Sequence, residues 1–487
     1  MDKRYINFII ITILFLIGYS LLISKLYPPQ KQPVSISPVS KSTTPSSVKP
    51  KPLIKEKPPG IQEITKDIET DNFIITFSLT GGYIKNIHIK AYKENLIFHN
   101  IGYTPKLYSQ QFTLTLPQQN TVVLESRDRS IKKIWEFKGY YVTLTIINNK
   151  PPLVMDLFLN SLSSNRLDQR YQEVFYQKNA SSVIKRTAQA KLKPQKNIPL
   201  QLIGARDRYF CVVFFQNDSP VTLIRKDKKV NTYVSIDKPE TVWNFYAGPQ
   251  LRRELAKQKL GNIINYGFFN FIGVLILKVL YGLKYVTHSW GLSLILLSVI
   301  IYIILFPFTM KSTQAMKKMQ QIQPLIQELQ KKYKDNPQKL QKEQMLLFKK
   351  YKINPVGGCL PMFFQFPVFI ALYQVLFRFI ELKGAQFLWI KDLSLPDHAF
   401  KLPFSLPYIG NYFNILPLFI IIVSYLQQKI TTSEGNSQQQ STAMIFMLVI
   451  GVIFYHFPSC LVMYWFIQNI LTVLYQYKIH KLPEPLV

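Results

Sequence analysis

Long uncharged runs in the second half of the chain limit its possible folds more than any other feature. Trp290 to Met310 and Asn354 to Phe377 contain no charged residue, and neither does Leu402 to Gln428. A helix needs about 20 predominantly apolar residues to cross a bilayer. Each run therefore predicts one transmembrane helix, the third within Tyr412 to Gln428.

Two further stretches extend this pattern. Gly435 to Tyr477 is uncharged when His456 is neutral, and it is too long for one helix. Pro458 predicts a break within it, because proline lacks the amide hydrogen that a helix interior needs. Near the N-terminus, Tyr5 to Ser24 predicts a membrane anchor within residues 1–27, and no small-residue cleavage site follows it. The sequence thus predicts six transmembrane helices, of which five form a core.

Basic residues are concentrated in one short loop. Lys and Arg number 59 against 27 Asp and Glu, a balance that fits a membrane protein or a nucleic-acid binder. Segment 311–353, between the second and third spans, is strongly lysine-rich. Short basic loops face the cytoplasm, so the location of the charge favours a membrane protein. This orientation puts both termini in the cytoplasm and the large domain outside.

The sequence predicts a β domain at residues 66–262. Phe73 to Leu79 and Ile84 to Ile89 alternate apolar and polar residues around Gly81 and Gly82, which is typical of a β-hairpin. Similar segments are Val122 to Leu124, Ile134 to Phe137, Tyr141 to Ile147, Tyr209 to Phe215 and Val230 to Ile236. We expect an antiparallel β-sandwich. Residues 28–65, rich in Pro, Ser and Lys, predict a disordered linker before it.

Two amphipathic segments accompany the spans. Phe268 to Thr287 is apolar but carries Lys278 and Lys284, so we expect a helix lying in the membrane interface. Segment 311–353 shows helical spacing on both sides of a turn and predicts a hairpin with an apolar face and a lysine face. Its charge leaves two interpretations open: binding of lipid headgroups, or docking of ribosomal RNA, targeting factors or nascent chains. The lysines assigned to this surface are Lys317, Lys318, Lys331, Lys332, Lys349 and Lys350.

Nothing in the sequence indicates catalysis. The three cysteines, Cys211, Cys359 and Cys460, form no CxxC pair, and the six histidines show no metal-ligand spacing. The cysteines and histidines therefore indicate neither a disulfide framework nor a metal site.

Motifs along the C-terminal half resemble those of the YidC insertase family. Asn354 to Tyr373 is similar to the family's NP-x-GGC-x-P stretch followed by Q-x-P-x-F-x-A-L-Y. Phe457 to Trp465 resembles its F-P-S-G-L-x-L-Y-W turn. Phe306 to Thr309, Leu388 to Leu393 and Tyr246 to Pro249 resemble three further family segments. The resemblance is strong from about residue 240 to 478 and weaker over the β domain.

The resemblance implies an insertase and chaperone of the cell inner membrane, with a periplasmic β domain and an insertase core at 263–487. Newly made membrane proteins would enter and fold through a hydrophilic groove, alone or with the Sec translocon. Nascent chains, the ribosome and membrane lipids are the implied partners. The resemblance also implies no covalent chemistry, so we expect a protein that is not an enzyme and that has no catalytic residue, no metal, no cofactor and no small-molecule substrate. The physical case is that a charge at the bilayer centre costs at least about 3 kcal/mol, so a polar groove lowers the cost of moving a polar flank across.

Five polar residues within the predicted spans are candidates for the groove lining. Their positions relative to the family motifs favour Ser298, Tyr302, Gln365, Tyr464 and Gln468. Considered alone, each is also explained by ordinary hydrogen bonding between helices. The family usually has an arginine five residues before the proline of its Y-P-L-T segment, where this chain has Tyr302. Arg378 lies too close to the outer interface to replace it, so we predict a neutral groove.

Two other functions are compatible with a multi-span protein. A solute transporter or channel usually shows internal repeats and buried ionisable residues, and the predicted spans show neither. A membrane-anchored periplasmic scaffold would need neither polar positions within spans nor an ordered hairpin. Both alternatives are therefore less well supported than the insertase.

Overall fold

The computed structural model describes residues 63–96, 101–149, 153–156, 172–179, 182–188, 195–215, 220–226, 229–353, 360–406, 410–431 and 437–481. The chain divides into two compact units, and the boundary follows Ile263. The predicted anchor helix, nearly all of the predicted linker and Cys359 lie outside the described residues.

The first unit is built almost entirely of β-strands. Its strands are β1 Thr65–Glu69, β2 Phe73–Ser78, β3 Tyr83–Ile89, β4 Glu94–Leu96, β5 Phe112–Gln118, β6 Thr121–Ser126, β7 Ile131–Lys138, β8 Tyr141–Asn148, β9 Leu153–Asp156, β10 Glu173–Gln177, β11 Lys185–Ala188, β12 Gln195–Pro199, β13 Leu202–Arg206, β14 Phe210–Phe215, β15 Pro220–Lys226, β16 Lys229–Ile236 and β17 Glu240–Pro249. A short helix, α1 (Arg252–Ala256), follows them.

These strands form three sheets whose described pairings are antiparallel. One sheet has nine strands in the order β11-β10-β13-β14-β17-β8-β7-β6-β5, and the others have the orders β1-β2-β3-β4 and β12-β15-β16-β9. Along β7 and β8 buried residues alternate with more exposed ones, because successive side chains of a strand point to opposite faces. The rings of Phe77, Trp135 and Phe245 pack edge to face, with centroids 6.0 and 6.4 Å apart. The predicted antiparallel β-sandwich is confirmed.

The predicted hairpin around Gly81 and Gly82 joins β2 to β3. Both glycines have positive φ angles, and a Cβ on Gly82 would lie 2.8 Å from the ring of Phe112. Lys133 of β7 reaches this turn from the core, and its Nζ donates to the carbonyl oxygens of Gly82 (2.7 Å) and Gly102 (2.8 Å). Burial lowers the pKa of Lys133 to about 7, because the interior disfavours its charged form.

The second unit is helical. Its helices are α2 Asn270–Thr287, α3 Trp290–Gln321, α4 Gln323–Lys332, α5 Pro337–Lys350, α6 Leu360–Arg378, α7 Leu416–Thr431, α8 Ser437–Phe454 and α9 Ser459–Lys481. A two-stranded hairpin, β18 (Phe400–Leu406) with β19 (Gly410–Phe413), precedes α7. The predicted break at Pro458 separates α8 from α9.

Two helix boundaries differ from the sequence-based expectation. Helix α3 continues past Met310 to Gln321, since no glycine or proline interrupts it between Pro307 and Pro324. The predicted lysine hairpin therefore starts only after α3, and Lys317 and Lys318 lie on that helix. Helix α7 begins at Leu416, and the predicted start at Tyr412 is wrong because that residue belongs to β19.

Two described helices, α2 and α3, are long and apolar enough to cross a membrane by length and composition, and α6 and α7 contain shorter apolar helices. Helix α2 has two different faces. Gly273, Ile276 and Leu280 are buried, whereas Phe271 and Tyr285 are exposed to the surroundings. An exposed apolar face on a helix that also carries lysines is typical of a helix in contact with lipid.

Candidate functional site

The candidate site lies where α9 packs against α3 and α6. Along α9 the polar residues Tyr464, Gln468 and Thr472 recur every four residues, so they form one stripe on the helix surface. The stripe lies among mostly apolar residues of these helices. Its polar groups therefore need partners on the neighbouring helices.

The first contact joins α9 to α6. The side-chain amide of Gln365, through Nε2, donates to the hydroxyl of Tyr464. Tyr464 is only 1% exposed, whereas Gln365 is half-buried. The two residues lie 99 positions apart in sequence. A buried hydroxyl without a partner would be costly, so this hydrogen bond helps to fix α6 against α9.

The next two contacts join α9 to α3. The Nε2 atom of Gln468 donates to the carbonyl oxygen of Ser298 at 2.8 Å. The hydroxyl of Tyr302 donates to the carbonyl oxygen of Leu471 at 3.0 Å. Each carbonyl uses a second lone pair, since a helix carbonyl keeps spare acceptor capacity beside its intrahelical bond. These contacts hold the polar stripe together across the two helices.

All five predicted groove residues thus lie together, on α9 and on the facing parts of α3 and α6, and from here the stripe includes all of them. Their exposure to the surroundings differs. Ser298 is 1% exposed, and its hydroxyl donates to Leu294 O in its own helix at 2.6 Å. Tyr302, Gln365 and Gln468 are half-buried. They present amide and hydroxyl groups, which can exchange one hydrogen-bond partner for another without a change of charge. The groove role of these five residues stays a prediction.

Arg378 lies away from this stripe. Its Nη1 donates to the carbonyl oxygen of Asn265 at 3.3 Å, at the C-terminal end of α6. Gln365, by contrast, lies near the beginning of the same helix. The guanidinium therefore does not supply a positive charge to the stripe.

Sequence analysis missed a polar cluster that continues the stripe toward segment 311–353. Here the rings of Phe306 and Tyr475 pack with centroids 4.8 Å apart, and Lys317 Nζ donates to Ile479 O at 3.4 Å. Beside Lys317 is a cavity of about 20 Å³, room for roughly one water, lined in part by Thr313. The buried Oε1 of Gln476, which also lines this cavity, meets no donor among the residues that the structure describes. The four-residue spacing of Thr472 and Gln476 could have revealed this extension.

A second missed cluster holds the opposite end of the helices. Asp397 Oδ2 accepts hydrogen bonds from the backbone amides of Ile415 (2.7 Å) and Leu416 (3.1 Å) and from Trp389 Nε1 (3.2 Å). The carboxylate therefore caps the N-terminus of α7. Ser459 at the start of α9 donates through its hydroxyl to Leu395 O at 2.8 Å. Together these contacts close the described helices at the end opposite the lysines.

The lysine-rich hairpin has a small core of its own. Ile322, Ile326 and Ile353 are buried against Met319, Leu347 and Phe348. The assigned lysines Lys318, Lys331, Lys332, Lys349 and Lys350 are exposed, and Lys317 is half-buried. An apolar interior with lysines outside is the arrangement that the spacing predicts.

The described residues contain no group of three or more His, Cys, Asp or Glu side chains that could hold a metal ion. The free cysteines Cys211 and Cys460 are both buried. Burial raises the pKa of the Cys211 thiol. What the stripe offers is hydrogen bonding among neutral groups, in a helical unit joined to a β-sandwich domain.

Known proteins with similar sequences indicate the class of protein to which this chain is similar. A family model described as "60Kd inner membrane protein" matches residues 282–484, which include most of the helical unit. A curated relative from Syntrophobacter fumaroxidans, named "Membrane protein insertase YidC", is 41% identical over 240 residues, 49% of this chain and 43% of that protein. Less than half of that relative's length is therefore aligned.

A relative from Geobacter sulfurreducens with the same name is 28% identical over 545 aligned positions, covering 99% of this chain and 98% of that protein. A crystal structure described as "Active YidC insertase crystal structure with the first transmembrane domain resolved" aligns with 96% of this chain and 99% of that one, at 17% identity and a TM-score of 0.44. The chain is thus similar over residues 282–484 to the inner membrane protein family model, and over nearly its whole length to a protein named membrane protein insertase YidC.

Proposed function

We propose that this protein is a membrane protein insertase and chaperone, which helps newly made proteins enter, fold and assemble in the inner membrane. The observation that carries the proposal is the stripe of hydrogen-bonded polar side chains where α9 meets α3 and α6, in a chain whose curated relatives are named membrane protein insertases. The function requires binding and release of a polypeptide and no covalent chemistry.

The stripe suits this task because its groups are neutral and are held by hydrogen bonds to a neighbouring side chain or to a helix carbonyl. An inserting segment brings polar groups that lose water on entering the bilayer, at a cost of several kcal/mol for each unsatisfied group. Half-buried Tyr302, Gln365 and Gln468 can exchange their present partners for groups of the segment. The apolar part of the segment then moves sideways into lipid.

We propose the membrane arrangement predicted from the sequence: six transmembrane helices, five of them in the core, with both termini in the cytoplasm and the β-sandwich in the periplasm. The lysines of α4 and α5 support a cytoplasmic hairpin. The exposed apolar face of α2 supports an interfacial position for that helix. The division of the chain after Ile263 is consistent with a separate core from about residue 263.

Nascent membrane proteins are the proposed substrates, and the Sec translocon, the ribosome and lipids the proposed partners. The exposed lysines of the hairpin form a basic surface that suits a ribosome or anionic headgroups, and both interpretations stay open. Insertion alone or together with Sec is compatible with the stripe.

A reconstituted insertion assay tests the activity. Purified full-length protein is placed in liposomes, a two-span membrane protein is synthesised in their presence, and protease-protected fragments are measured. We expect protection with the protein and little with empty liposomes. Equal protection in both would contradict the insertase proposal.

Crosslinking tests the groove separately. A photoreactive amino acid at Tyr302 should attach to a stalled nascent chain, because this residue lies in the stripe. The matched control is Ile303, the adjacent residue, which is 63% exposed on the helix surface and should attach to lipid. If position 302 also attaches only to lipid, the groove assignment is wrong even where insertion is observed.

A further inference from the structure

The hairpin of β18 and β19 differs from the rest of the described β structure. It is a sheet of only two strands, and it immediately precedes α7. An isolated two-stranded hairpin is marginally stable in water and needs another surface to bury its apolar residues. The β18–β19 hairpin therefore requires a surface that covers its apolar residues.

The hairpin presents an apolar side and a more polar side. Phe400 pairs with Phe413 across the strands, so these two side chains share one face, whereas Lys401 pairs with Tyr412 on the other. Phe400 is 62% exposed. The register shifts after Lys401, and within that shifted stretch Phe404 is 58% exposed. The rings of Phe400 and Phe404 are therefore exposed on the β18–β19 hairpin.

The position of the hairpin is fixed by hydrogen bonds at its base. The backbone amide of His398 donates to Asn414 Oδ1 at 2.9 Å, which holds the two ends of the hairpin together. The hydroxyl of Tyr455, after α8, donates to Tyr412 O at 2.9 Å, and Asn414 Nδ2 donates to Tyr455 O at 2.9 Å. The ring of His398 stacks on that of Tyr412, with centroids 4.3 Å apart. The exposed rings therefore stand on a firmly held base.

This base lies at the end of an apolar helix. Only two residues separate Phe413 from Leu416, so the hairpin ends within about 10 Å of the first turn of α7. In that turn Leu418 and Phe419 are exposed, and Trp389 packs against Phe419 with ring centroids 6.2 Å apart. Aromatic residues at the ends of membrane helices are enriched at the level of the lipid headgroups. The exposed residues of the hairpin and of the first turn of α7 therefore belong to adjacent segments of the chain.

The charge of this region also suits lipid. Between Ala399 and Thr431 the chain has no acidic residue, and its two cations are Lys401 and Lys429. Lys401, on the face opposite Phe400, can reach phosphate groups while the phenylalanines face the acyl chains. A protein partner would need no such separation of aromatic and basic side chains at the end of a membrane helix.

We propose that the β18–β19 hairpin is an interfacial membrane anchor, which inserts Phe400 and Phe404 at the boundary between phospholipid headgroups and acyl chains. Its partner is the lipid surface next to α7. The anchor would hold the outer ends of α7 and α8 at a fixed depth. This inference rests on the membrane placement of α7 and is independent of insertion activity.

Spin labels measure the depth directly. Cysteine is introduced as Phe400→Cys, Phe404→Cys or Lys401→Cys in a full-length background in which Cys211, Cys359 and Cys460 are alanine, and each labelled protein is placed in liposomes. We expect labels at 400 and 404 to collide with oxygen, which dissolves in lipid, and to be protected several-fold from a water-soluble nickel complex relative to 401. The matched position 401 shares the strand but faces the other side.

A second measurement avoids removal of the native cysteines. Benzoylphenylalanine at 400 or 404 in the otherwise unchanged chain should give phospholipid adducts by mass spectrometry after illumination, and the same residue at 401 should give far fewer. Equal access of the nickel complex at all three positions would overturn the proposal. So would labels shielded from both reagents together with protein adducts, because they would show that a second copy or another protein covers the hairpin. The insertion assay on the same samples shows whether the protein is still an active insertase when the anchor proposal fails.

Discussion

The β-sandwich and the polar stripe of the helical unit bury different kinds of polar side chain. In the sandwich, Arg206 is buried with its Nε and Nη2 donating to Glu173 Oε2 at 2.9 and 2.7 Å, and Lys133 is buried among backbone carbonyls. In the helical unit, the stripe of Tyr302, Gln365 and Gln468 carries hydroxyls and amides. A domain that folds in water can pair its buried ions, whereas a charge between membrane helices is costly even in the folded state.

From this comparison we expect that loss of a buried charged side chain in the sandwich lowers the free energy of unfolding most. Arg206→Met should lower the free energy of unfolding by about 3–5 kcal/mol, because Glu173 Oε2 loses both hydrogen bonds from the guanidinium and Ile263 O loses a donor. Denaturant unfolding of the full-length protein, followed by tryptophan fluorescence of the sandwich, measures it. The double variant Arg206→Met with Glu173→Met should recover part of the loss. No recovery would show that the pair itself is not the cause.

Lys133 gives the second prediction. Lys133→Met should cost about 1–3 kcal/mol at neutral pH, since the carbonyls of Gly82 and Gly102 lose their donor. The pKa of Lys133 is lowered to about 7 in the fold, against an ordinary value near 10.5. Between these values the unfolded chain holds the extra proton, so this lysine's contribution to stability rises with pH from about 7 to 10 and is lost as pH falls again.

Unfolding curves of the wild type and of Lys133→Met across this pH range measure that contribution. The stability of the wild type should rise relative to the variant as pH increases. Parallel curves for the two proteins would mean that Lys133 keeps an ordinary pKa.

Asp397 is expected to have an intermediate effect in the helical unit. Asp397→Ala removes the acceptor for the amides of Ile415 and Leu416, and loss of such a cap costs about 0.5–2 kcal/mol. Hydrogen exchange of the first turn of α7 in detergent or nanodiscs should increase, whereas exchange in α3 should not. Exchange that increases equally in both helices would indicate global loosening instead of a lost cap.

The smallest effect on stability is expected in the stripe. Gln468→Leu removes one hydrogen bond between α9 and α3, and such bonds between membrane helices contribute about 0.6 kcal/mol on average. Thermal unfolding in nanodiscs should therefore change little. If the stripe contacts substrate, insertion of a two-span protein should nevertheless fall several-fold. Leu474→Ala, on the exposed surface of the same helix, is the control and should retain insertion.

The sequence was informative wherever a feature depends on local pattern. Period-two alternation located the strands around Gly81 and Gly82, and the proline at 458 located the break between α8 and α9. It was less informative at helix ends. Tyr412 lies in an uncharged run, yet Asp397, fifteen residues earlier, helps to start α7 at Leu416 by accepting its first amides. A helix cap that a distant residue supplies cannot be predicted from the hydropathy of a short stretch of sequence.

The candidate site shows the same division. The sequence shows that five polar residues stand in apolar runs, and it shows the lysine-rich segment 311–353. The five residues are Ser298, Tyr302, Gln365, Tyr464 and Gln468. Which groups pair could not be read, because Tyr302 meets Leu471 O and Gln468 meets Ser298 O across about 170 residues. Periodicity and charge act locally along a chain and are visible in its sequence. Hydrogen bonds between helices depend on how those helices pack, and that was decided by the tertiary structure.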